Sequence, residues 1–125
     1  MPLTNTLASA IVTDRVRYEL HDVTTGGYRW LDTELMRWLN DGVRTVCLKK
    51  PHLYIDSGGL QATTLPIPLP TDVTALSDKV NVHPLANSCI THYICAQALF
   101  KDNDVQDKPK AEMHLKLFYD EMAIL

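Results

Sequence analysis

Cys89, His92 and Cys95 stand three residues apart in the stretch SCITHYICA, and thiol and imidazole are the side chains that bind zinc or act as nucleophile and base. On a helix Cys89 and His92 share a face, but Cys95 has turned about 120° out of alignment with Cys89. Three ligands of one metal do not converge from that arrangement. A structural zinc site also needs a fourth ligand and closer cysteine pairs, and His83 is the only nearby candidate. The surrounding residues are apolar, which keeps a thiol protonated. Cys47 lies beside Lys49 and Lys50, yet no histidine is spaced to serve it as a base. There is no Gly-rich phosphate loop, no GxSxG and no HExxH. The carboxylates fall on helix faces that read as solvated, without a paired cluster. The stretch therefore reads as packing, with cysteine as a small hydrophobe. The expectation is no catalytic residue, no metal and no cofactor: not an enzyme.

Periodicity defines the elements around it. Ala8, Val12, Val16 and Leu20 form an i, i+4 row that predicts a helix from Thr4 to about Leu20. Leu7 and Ile11 widen the row, and Asp14, Arg15, Arg17 and Glu19 mark the polar side. The HDVTTGG run at 21–27 breaks the pattern with a turn. A second helix is expected from Asp32, whose carboxylate would cap the first turn, to a point before Pro51. Its stripe is Leu35, Trp38, Leu39, Val43 and Val46. Gly42, inside that stripe, costs about 1 kcal/mol relative to alanine, and close approach of another backbone is the expected reason.

Residues 53–70, with a Gly-Gly pair and three late prolines, read as a short β-hairpin or extended ribbon that projects from the molecule. A connector at 72–82 leads to a third helix from about Pro84 to Phe100. A fourth helix occupies about 105–125, with Pro109 moving its true start nearer Asp107. Ala111, Leu115, Phe118, Met122 and Leu125 make its main face, while Met113, Leu117 and Ile124 lie off it. The predicted architecture is mainly α, one domain over 1–125, a small bundle of about four helices with the ribbon between helices two and three.

Composition bounds the function. At 125 residues the chain supports one core. A hydrophobic share of 46% and a charged share of 22% are ordinary for a soluble globular protein. A net charge of −3 argues against coating nucleic acid by charge. Three irregularly spaced cysteines read as reduced thiols in a cytosolic product. The first twenty residues do not read as a signal peptide, and no apolar run approaches the ~20 residues of a membrane span. The helical stripes are wider than one small core needs, and Tyr28, Trp30, Trp38, Tyr54 and Phe118 are anchors of the kind that dominate interfaces. An obligate oligomer is the expected consequence.

Two segments, Arg15 to His52 and Pro70 to Met122, resemble the head-to-tail connector proteins of tailed bacteriophages, also called adaptor or head completion proteins. The first carries Arg29, Trp30, Asp32, Glu34, Leu35, Trp38, Leu39, Asn40, Asp41, Gly42 and Arg44 in the family's order. The second carries Val73, Leu76, Ser77, Asp78, Lys101 and Asp102. Where relatives often have a longer β-rich insertion, this chain has only Asp56 to Leu69. The resemblance implies a structural virion protein, made in the host cytoplasm and placed at the head–tail junction, or neck. It implies a homo-oligomeric ring, typically twelve-fold, seated under the portal protein. Such a ring extends the channel for packaged DNA and offers a platform to a downstream neck or tail protein. A mildly acidic wall would keep phosphate from sticking. Candidate protein-interface residues are Trp30, Arg37, Trp38, Arg44, Tyr54, Leu60, Leu65, Met113, Leu117 and Ile124. Helix four is the expected portal contact, so deleting 113–125 should leave soluble protein that fails to join portal-bearing heads. The alternatives are a small helical binding or regulatory adaptor module and, behind it, a metal- or thiol-dependent enzyme.

Overall fold

A computed structural model of the chain describes residues 3–22, 29–61, 67–102 and 107–125. The protein is a small, mainly α bundle of four helical segments, with no strand among the described residues.

The first segment, α1, is α-helical over Ala8–Ile11, passes through a π turn at Val12–Val16, and resumes as Arg17–Glu19. It begins later than the Thr4 expected from its apolar row. Residues 3–6 are not helical, and their polar groups bind elsewhere. The Asn5 amide donates to Asp56 O at 2.9 Å and to Val80 O at 3.2 Å, and Thr6 O accepts from Val80 N. The free N–H groups of Ala8 and Ser9 find Asp78 O and Leu76 O, both at 2.9 Å, so the connector caps α1 without a side chain. Ala8, Ile11, Val12 and Val16 are buried, whereas Leu7, expected to widen the row, is 43% exposed.

The π turn inserts roughly one extra residue, which sets the helix back by about 100°. Arg17 thereby leaves the polar face assigned to it by ideal periodicity and is 1% exposed. Its end is closed by backbone bonds from Asp22 N to Arg17 O and from His21 N to Tyr18 O, with His21 at φ 55°. That is a Schellman closure with histidine where glycine is usual.

Helix α2 spans Asp32–Lys49, ending before Pro51 as expected. Leu35, Met36, Leu39, Val43, Val46 and Cys47 face the core. Asp32 does not cap its own turn: the cap position is Leu31, with no side-chain bond, and the Asp32 carboxylate accepts from Arg17. Gly42 is needed for a side chain rather than a backbone, since a Cβ there would lie 2.9 Å from Cδ1 of Tyr93.

The region expected to be a hairpin is tied down where it is described. Leu53 and Ile55 are buried. Tyr54 bridges Val82 and Ile55 bridges Gln61, each in isolation, so the two limbs do not form a ladder. Between them Asp56 Oδ1 accepts from Gly58 N and Leu60 N at 2.9 and 3.0 Å. Gly59, at φ 80°, lets Leu3 O approach to 1.8 Å from where a Cβ would stand. The rest of the expected ribbon, 62–66, and the turn at 23–28 lie outside the described residues.

A 3-10 turn at Pro84–Ala86 opens onto α3, Asn87–Asp102. Ile90, Ile94, Cys95, Ala96 and Ala98 are all 0% exposed, so α3 is apolar nearly all round and forms the centre of the bundle. Helix α4, Lys108–Ala123, starts after Asp107, with Pro109 in its first turn. It lies antiparallel to α3: Ser88 near the start of α3 meets Glu121 near the end of α4. These two helices make the most extensive pairing in the molecule.

Candidate functional site

The thiols are disposed as packing. Cys47, Cys89 and Cys95 are free and buried. Burial pushes Cys47 and Cys95 up to about 12, and Cys89 up to about 11 with help from the Glu121 charge. At neutral pH all three stay protonated and poorly nucleophilic. Cys89 Sγ donates back to Ala86 O at 3.1 Å, and Cys47 Sγ lies 3.9 Å from Asn81 O. His92 turns away from both flanking cysteines toward α4, where its Nδ1 is 2.9 Å from Nδ1 of His114. Among the described residues no group of three or more His, Cys, Asp or Glu side chains is placed to hold a metal ion.

The buried polar chemistry sits elsewhere, where α1 meets α2. Arg17 donates from Nη1 to Asp22 Oδ2 at 2.7 Å and from Nη2 to Asp32 Oδ1 at 2.5 Å. Asp22, 7% exposed, also accepts from the backbone N–H of Arg29 and Trp30 at 2.8 and 3.3 Å. One ion cluster therefore fixes the two ends of the 23–28 connection and brings Trp30 into the core. Sequence reading missed Arg17 because the π turn that buries it leaves no periodic trace. It missed His114 although a signal existed, since His114 lies i+3 from Ala111 and i−4 from Phe118 on the buried stripe.

The residues carrying the connector resemblance meet one another. Asn40 clasps Val73, donating to its carbonyl at 3.0 Å and accepting from its N–H at 2.8 Å. Arg44 pairs with Asp72 at 3.1 Å. Lys101 pairs with Glu34 and lies 6.0 Å from the Trp38 ring centroid. Asp78 accepts from Thr74 N and Ala75 N, which hold its carboxyl below the usual range. In this chain that pattern binds the late segment to α2.

The interface candidates divide accordingly. Trp30 is 4% exposed and belongs to the core, with no surface to offer a neighbour. Trp38 and Tyr54 are half-buried against the core. Arg37 is exposed, and Arg44 is exposed but paired with Asp72. Leu60 is 54% exposed, Met113 52% and Ile124 85%, while Leu117 is half-buried. Leu65 and Tyr28 lie outside the described residues.

Helix α4 thus carries apolar side chains on a second side, where Asp120, exposed and paired with Lys116, interrupts them. Ala111, Phe118 and Met122 enter the core. Met113, Leu117 and Ile124 fall within about 40° of one another, roughly 140° around the axis from that buried face. Compared with models of protein families, with curated proteins and with solved structures, the chain matches none.

Proposed function

We propose that the protein is a head-to-tail connector subunit of a tailed phage, a structural virion component that assembles with copies of itself on the portal and offers a platform to the tail. The outward row Met113, Leu117 and Ile124 carries this reading. Scattered exposed apolar side chains are ordinary, but a row on the face opposite the core is not needed by the subunit's own packing. It supports burial against another chain, with the portal as the proposed partner of α4. The proposed ring is twelve-fold, leaves a channel for DNA without sequence-specific contact, and sits at the neck.

Deleting 113–125 is a poor test, because the same helix supplies His114, Phe118 and Met122 to the interior. The better variant is Met113→Asp with Ile124→Asp, which changes only exposed positions. It should fold as the unaltered chain does and fail to join portal-bearing heads of the phage that encodes it. If the doubly charged variant completes heads normally, the α4 assignment is wrong. A chain that ignores portal rings altogether, remaining a monomer or dimer, indicates the small binding module instead.

A further inference from the structure

Two imidazoles and a carboxylate meet in the seam between α3 and α4. His92 Nδ1 and His114 Nδ1 are 2.9 Å apart, and the rings are tilted by 31° at a centroid separation of 5.2 Å. On the other side of His92, Nε2 stands 3.6 Å from Glu121 Oε1. That oxygen also accepts the Ser88 hydroxyl at 3.2 Å, and Glu121 Oε2 is buried with no hydrogen-bond partner. His114 is 7% exposed.

A nitrogen–nitrogen contact this short accommodates one proton. With both rings neutral, one Nδ1–H donates to the other's bare nitrogen. With one extra proton the bond survives: His92 as the cation donates its Nδ1 proton to His114 and turns its Nε2 proton toward Glu121. A second extra proton puts N–H against N–H and two like charges in one buried seam. The bond is then lost and the charges repel.

We propose that His92, His114 and Glu121 form a proton-gated clamp, which fastens α4 to α3 while the pair holds at most one extra proton and opens locally when a second arrives. This is independent of what α4 docks against.

Besides the two rings, the charged groups facing the clamp come from two elements. Glu121 on α4 faces His92. Asp14, Arg15 and Glu19 on α1 line the hollow onto which His92 opens. Burial, then the His92 charge, lowers the His114 pKa, and Glu19 opposes them. Opened α4 takes up the His114 proton at the ordinary value of about 6.5 and closed α4 only below it. Below about 6.5 the open state therefore binds more protons, and falling pH favours opening. Above that value His114 adds no pH dependence of its own.

Hydrogen exchange of the full chain from pH 7.5 to 5, corrected for intrinsic rates, tests this with α2 as internal reference. The opening constant of α4 should rise by up to about tenfold per pH unit in the window between the two pKa values while α2 stays level. Imidazole NMR should show His114 titrating below its ordinary value, and His92→Gln should move that titration upward and flatten the α4 response. Parallel changes in α2 and α4, or a His114 titration unmoved by His92→Gln, overturn the clamp. If His92→Gln does not fold, the exchange profile of the unaltered chain decides alone.

Discussion

Arg17 shows how one buried charge can tie the end of α1 to the start of α2. Its guanidinium and Asp22 are both nearly sealed from water, so removing one leaves the other buried without its ion partner. Arg17→Met should cost about 3 kcal/mol, at the low end for a buried pair because Asp22 keeps two backbone donors. Adding Asp22→Asn should return part of that loss, and denaturant unfolding of the single and double variants measures both. Equal unfolding midpoints for Arg17→Met and the unaltered chain would refute the cluster's role. The thiols belong to the same scale. With pKa values of about 11 to 12, alkylation at pH 8 should run at least about a hundredfold slower in the folded protein than in denaturant. Rapid labelling of any cysteine in the folded chain would show an activated thiol.

Elements were legible where a single period governs them. Asp32 to Lys49 carries a clean stripe and stops at a proline, and the observed helix has those limits. The Pro109 argument likewise placed the start of α4. Legibility failed where a local rule gave way to contacts distant in sequence. Thr4 to Leu7 has helical spacing, but Asn5 binds carbonyls fifty-one and seventy-five residues away. The turn at 56–60 was read correctly as a turn, yet beyond one bond from Asp56 N to Leu60 O and one isolated bridge it is held by Leu3 and, through Ile55, by Asn81 rather than by a hairpin ladder. Of the candidate interface, the α4 row was legible from helical spacing alone, whereas Trp30 was misread because its burial depends on the Arg17 cluster.

Two glycine-sensitive sites test these elements in opposite directions. His21 adopts a left-handed conformation at the end of α1, so His21→Gly should stabilise the protein by about 1 kcal/mol. Gly59→Ala should destabilise it by about 2–3 kcal/mol, since the added methyl meets the Leu3 carbonyl. Thermal melts of both variants check the pair. A neutral Gly59→Ala would mean that residues 3–6 do not pack on the turn.

At the scale of the whole molecule, α3 lies in the middle and α1, α2 and α4 cover it. The interior is closed by apolar side chains, Trp30 and Phe118 among them, with three protonated thiols, the buried His114 and one ion cluster. Among the described residues the exposed apolar side chains include a row on α4 and, elsewhere, Tyr18, Leu31, Leu48, Leu60, Leu69 and Leu85. The proposed role gives that row a partner. Mass measurement of the purified chain mixed with portal rings, the partner that the proposed role requires, addresses this directly. Stable complexes carrying one copy per portal subunit, lost in Met113→Asp with Ile124→Asp, are the expected outcome. A folded chain that leaves those portals bare at micromolar concentration would contradict the connector reading.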